Sequence, residues 1–234
     1  MVRNFDIRIK PEGGGFDKTS LISWWNLEEI SGTRNDAHGT NHLTDNNTVL
    51  YATGKVGNAA QFVAANLEYL SIVDNASLSV ADIDFTFAFW TYINSFADYD
   101  RMISKDDGTA GNREYFMFVS TSANKFGWGI PAGNTVFATS FGAPSLATWY
   151  FIVCRHDSVA NTISISINDG TVDSAAHSTG FVDGASSFLI SGFNGASSFF
   201  NGCMDSILFA KRVLTAAEIT WLYNAGVGRA YSEL

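Results

Sequence analysis

Residues 203–226 read CMDSILFAKRVLTAAEITWLYNAG, and this stretch decides the fold. Ile207, Leu208 and Phe209 form an apolar strand that runs into a basic corner at Lys211 and Arg212. A short helix is expected next. Thr215 stands at the N-cap and Glu218 three residues on, the spacing of a capping box. Ile219, Leu222 and Tyr223 then make one apolar stripe. Gly226 is expected to supply the left-handed stop. A long strand closed by one capped helix at the end of a strand-rich chain points to an all-β sandwich.

The preceding residues repeat the strand pattern. LISWWNL (21–27) is the first core strand. Phe85, Phe87 and Phe89 of DFTFAFWTYI (84–93) share one face, while Trp90 and Tyr92 share the other. A strand apolar on both faces belongs in the middle of a packed sheet. Short strands are also expected at 60–63, 69–73, 101–105, 114–120, 124–130, 136–140, 148–155, 162–168, 187–192 and 203–209. Residues 31–48 are expected to be loop. Asn168-Asp169-Gly170 is a hairpin turn signal. Phe5, Ile7 and Ile9 alternate with Asp6, Arg8 and Lys10, and a Gly-rich break follows at 11–15. The expected organisation is therefore a strand-like arm over 1–18 and one sandwich over 19–234, with self-association through the arm as one outcome.

Composition agrees with this reading. The chain has 234 residues, 14% aromatics, 21 glycines and only 3 prolines. That length suits one large β domain, and a core of this size needs no disulfide staple. Cys154 and Cys203 read as buried free thiols, with a cross-sheet disulfide as the other reading. The net charge of -9 argues against nucleic acid and anionic membrane surfaces as partners. No apolar run approaches the roughly 20 residues of a membrane span. The start, MVRNFDIRIK, has no secretory apolar core. A virion, a cell-surface assembly or the cytoplasm is then the expected location.

The order of several motifs resembles the laminin G-like domains of the concanavalin A-like lectin/glucanase superfamily. They are WWNLEEISG (24–32), GKVGNAAQF (54–62), YLSIVDNASL (69–78), DFTFAFW (84–90), ATWYFIVCRHDSVANTISISINDG (147–170) and the closing NGCMDSILFAKRVLTAAEITWLYNAG (201–226). The resemblance implies a two-sheet antiparallel jelly roll whose usual work is binding. It also implies one structural calcium near the chain ends, for which Asp36 and Asp205 are the candidate ligands. Calcium asks for six to eight oxygens. Asp205, inside an apolar strand, needs a cation, backbone donors or Arg212 as a partner.

Other clusters carry less. Asp98-Tyr99-Asp100 and Asp106-Asp107-Gly108 read as solvated turns. His38 and His42 lie in AHGTNHL, which does not read as helix, so zinc is not expected. No strand carries the alternating acids of a glucanase, and no nucleophile elbow or Cys-His pair appears. The expected function is non-catalytic binding of a glycan or a surface partner, because sugars stack on exposed rings while amides read their hydroxyls. The candidate contacts are Tyr99, Tyr115, Trp128, Asn134, Phe193 and Asn194. A decoration protein of a phage virion or other surface assembly is the alternative reading, and a glycan-degrading hydrolase or lyase is the second alternative.

Overall fold

A computed structural model describes residues 15–109, 111–129 and 134–234. The strand expected at 4–10 lies outside the described residues. Among the described residues fifteen strands form two antiparallel sheets. They are β1 (Leu21–Trp25), β2 (Thr44–Asn46), β3 (Leu50–Thr53), β4 (Asn58–Phe62), β5 (Tyr69–Ile72), β6 (Phe85–Ser95), β7 (Asp100–Lys105) and β8 (Tyr115–Ser120). After them come β9 (Lys125–Gly129), β10 (Thr135–Phe137), β11 (Trp149–Asp157), β12 (Thr162–Ile167), β13 (Asp173–Ala176), β14 (Phe188–Ile190) and β15 (Asn201–Ala210). One helix, α1 (Ala216–Tyr223), follows.

The eight-stranded sheet runs β13-β12-β11-β6-β15-β4-β3, with β1 also paired to β15. The seven-stranded sheet runs β10-β9-β8-β7-β14-β5-β2. As expected from its two apolar faces, β6 is central, between β11 and β15. Phe85, Phe87 and Phe89 point into the core between the sheets, where Phe87 stacks on Phe209 at 4.4 Å. Ala88 and Trp90 point the other way into a second, smaller core with Trp24, Phe151, Leu208, Ile219 and Leu222. The helix covers part of the outer face of the eight-stranded sheet. Its capping box is formed, with Thr215 Oγ1 accepting from the Glu218 amide and Glu218 accepting from the Thr215 amide.

Four details depart from the expectations. The helix stops at Asn224 (φ 49°), two residues before Gly226, because asparagine also tolerates the left-handed region. The 31–48 loop contains β2, and β3 and β13 add two more strands the periodicity did not show. Residues 15–18 belong to the sandwich rather than to an arm. Phe16 is buried in the second core beneath the Arg212 guanidinium, and Arg212 Nη2 donates to the Asp17 carbonyl at 2.5 Å. Both cysteines are free and buried. Their thiols are pushed up by burial, Cys203 to about 11. The hairpin turn is as expected, with Asn168 and Asp169 both at φ 55° and the Gly170 amide bonded to the Ile167 carbonyl.

Candidate binding face

Strand alternation sends Tyr115, Met117 and Val119 of β8 into the core and Phe116 and Phe118 to the outer face of the seven-stranded sheet. On β9 the inward residues are Phe126 and Trp128, and the outward ones are Gly127 and Gly129. The phenyl rings of β8 lie over those glycines. A Cβ on Gly129 would stand 2.5 Å from the Phe116 ring. Tyr99, at the turn before β7, stacks on Phe118 with centroids 4.8 Å apart. Phe137 of β10 closes the far side of Phe118 edge-on at 5.8 Å. Phe118 is therefore buried although its strand face is the outer one. Tyr99 above it stays 43% exposed.

A loop from Ser191 to Phe199 crosses the same face. The Arg101 amide donates to the Ser198 carbonyl, and Phe199 forms a bridge with Arg101. A tight turn, closed by the Phe193 amide on the Ser197 carbonyl at 2.7 Å, lifts Asn194 into solvent. The Phe193 ring lies over Gly108 and 5.5 Å from the Arg101 guanidinium. Arg101 lies flat on Phe116, 3.5 Å from the ring centroid. Burial pulls its pKa down to about 10, and the nearby Asp106 carboxylate works in the opposite sense.

The expected contact residues separate into three groups. Tyr99, Phe193 and Asn194 lie in turns with half-buried or exposed side chains, Tyr99 over Phe118 and Phe193 over Gly108. Tyr115 and Trp128 are corrections. Each has 0% exposure, the Tyr115 hydroxyl donates to the Leu78 carbonyl, and Trp128 Nε1 donates to the Arg155 carbonyl. Both sit on the inward phase of their strands and have no surface to offer a ligand. Asn134 stands at the start of β10, where its amide meets His177 Nδ1 at 3.3 Å. Phe116, Phe118 and Arg101 were not singled out in the sequence. Their signal was the alternating glycine of FGWG (126–129), which marks the outward face of β9 and hence the ring-bearing phase of β8.

Asp36 and Asp205, the two expected calcium ligands, each accept hydrogen bonds from nearby protein donors. Asp36 Oδ1 accepts from the amides of Trp24, His38 and Gly39, and Oδ2 accepts from the Asn41 amide. Asp205 Oδ2 accepts from the amides of Lys55 and Val56, and Oδ1 from the Ser206 hydroxyl. Burial lifts Asp205 to about 7 against the pull of these hydrogen bonds. The two carboxylates share no partner. Among the described residues no three His, Cys, Asp or Glu side chains gather as a metal would need. Here the backbone donors satisfy Asp205.

A family model described as the concanavalin A-like lectin/glucanases superfamily matches residues 65–220. The chain belongs to this superfamily. No curated protein matches it by sequence. Solved structures share its fold at low identity. The binding domain of Paraclostridial Mosquitocidal Protein 1 aligns with a TM-score of 0.71 at 17% identity, over 89% of this chain and 53% of that one. Domain 4 of AbnA, an arabinanase from Geobacillus stearothermophilus in complex with arabinotriose, aligns with a TM-score of 0.65 at 15% identity, over 90% and 98%. The binding domain of Botulinum Neurotoxin DC in complex with SialylT gives 0.62 at 11%, over 89% and 52%. This superfamily member thus spans about half the length of the two toxin binding domains. Among the described residues no helix is long and apolar enough to cross a membrane.

Proposed function

We propose that the protein is a non-catalytic glycan-binding module that holds a saccharide against the outer face of its seven-stranded sheet. The observation that carries this reading is the exposed Tyr99 ring, fixed from below by Phe118. A ring held rigid by a second ring loses little entropy when a sugar stacks on it. Asn194, next to Phe193 in the chain, is exposed and offers an amide of the kind hydroxyl recognition needs. Domain 4 of AbnA and the neurotoxin domain, both solved with saccharides, support the reading by their shared fold.

The carboxylates around the face are engaged elsewhere. Asp98 accepts from the hydroxyls of Ser120 and Ser122, and Asp107 from the Thr109 amide and Asn112. Asp106 is 2% exposed and ion-paired to Arg101 and Arg113. None is set up as the free acid and base of glycoside hydrolysis.

The test is a glycan array followed by titration calorimetry on the wild type, Tyr99→Ala and Phe193→Ala. Each variant is expected to lose about tenfold in affinity, or roughly 1.4 kcal/mol, with an unchanged far-ultraviolet spectrum. Undiminished binding by both variants would move the site elsewhere, and a blank array would end the glycan reading.

A further inference from the structure

Two arginines beside the Tyr99–Phe193 face lack the partners their chemistry demands. Asp106 lies between them, 3.3 Å from Arg113 Nε and 3.7 Å from Arg101 Nη2. Its Oδ1 also accepts from the Gly108 amide at 2.8 Å. One carboxylate therefore faces two guanidiniums, which leaves one positive charge uncompensated in a chain of net charge -9. The hydrogen bonds are short of donors' needs as well. Arg101 Nε and Nη1 are buried without a hydrogen-bond partner. Arg113, with a side chain 43% exposed, reaches Asp106 through Nε at ion-pair distance only.

A buried donor left unsatisfied costs about 1–3 kcal/mol, so native structures seldom keep one without a use. The Arg101 guanidinium carbon lies 3.5 Å from the Phe116 centroid and 5.5 Å from the Phe193 centroid. Phe193 belongs to a loop rather than to a strand. A planar fork of N–H donors matches a carboxylate in a way that a point charge does not.

We infer that the saccharide held on this face carries a carboxylate, and that Arg101 and Arg113 read it. The inference rests on the glycan-binding reading and narrows it to acidic sugars. A single carboxylate fits better than a polysulfate. Asp98 and Asp107 flank the face, and their hydrogen bonds, from Ser120 to Asp98 and from the Thr109 amide to Asp107, hold both in the charged form. They repel a densely anionic chain while leaving one charge on the arginines attractive.

The experiment compares matched pairs on the full chain by calorimetry. These are galacturonic acid against its methyl ester, sialyllactose against lactose, and heparin oligosaccharide as the sulfated arm. At least one acidic member is expected to bind about tenfold tighter than its neutral partner, with the gap shrinking in about 0.5 M salt. Arg113→Gln, at an exposed position that folding tolerates, is expected to remove the preference. Arg101→Lys keeps the charge but loses the fork, and is expected to weaken it. Equal binding of acidic and neutral partners overturns the inference and leaves the glycan reading standing. A preference that survives Arg113→Gln, or tighter binding of heparin than of either carboxylate, also overturns it. No binding by any of the saccharides overturns both.

Discussion

A Cβ on Gly127 would stand 2.2 Å from Cζ of Phe118 and 2.6 Å from its Cε1. That ring cannot retreat, because Tyr99 stacks on its other side and Phe116 and Phe137 flank it. Gly127→Ala is therefore expected to cost about 1–3 kcal/mol, the usual range for an overpacked site, and to tilt Tyr99 out of place. Urea melts read the first effect and saccharide titration the second. A variant that keeps wild-type stability and affinity would show that the ring stack is not rigid. The same glycines explain why aromatic residue type alone misled at Tyr115 and Trp128. Both look like sugar platforms in the sequence, but the phase of alternation, fixed by which neighbour is glycine, turns them inward. Tyr99, Phe193 and Asn194 sit in turns, where the sequence exposes them directly.

At the scale of elements, the start and apolar stripe of α1 were readable because their signals are local. Thr215, Glu218, Ile219 and Leu222 lie within eight residues, and the capping box needs no distant partner. Tertiary contact adds a second role to Glu218. Arg212 Nη1 and Nη2 donate to its two oxygens at 2.8 and 2.7 Å, and the Asp17 amide also donates to it. Burial pushes the Glu218 carboxyl up, but the Arg212 and Thr215 hydrogen bonds outweigh it and hold the group at about 2. The folded pKa is thus below the unfolded one. The stabilisation is present above about pH 4.5 and fades as pH falls toward 2. Glu218→Gln is expected to lose about 3 kcal/mol at most at neutral pH, and to flatten the acid limb of the stability curve. Melting temperatures from pH 7 to pH 2.5 check this, and parallel curves for the two proteins would refute it. By contrast β2 (TDN), β3 (LYAT) and β13 (DSAA) gave no strand pattern. Each is an edge strand with mostly exposed side chains, so burial imposes no apolar alternation on it.

The whole molecule has two cores that share one sheet. The larger lies between the sheets, and the smaller joins β1, β6, β11 and β15 to α1 and Phe16. Two early loops are held by amide-to-carboxylate bonds. Asp36 fastens the 38–41 loop to β1, and Asp205 fastens the 55–56 turn to β15. Excess chelator is accordingly expected to shift the melting temperature by less than about 1 °C, since a ligand that binds only the folded state would give a larger and concentration-dependent change. A fall of several degrees, restored by added calcium, would reinstate the ion. The sequence by itself determined the two-sheet sandwich, the central place of β6 and the capped helix, because periodicity and capping are set by residues near in the chain. It also determined that Asp205 must have a partner, since an apolar strand leaves a carboxylate no water. Only the tertiary structure decided which partner that is, which aromatics reach the surface, and that Arg101, Arg113 and Phe193 meet. Those outcomes depend on register between strands and on loops that cross a sheet, and spacing along the chain does not encode either.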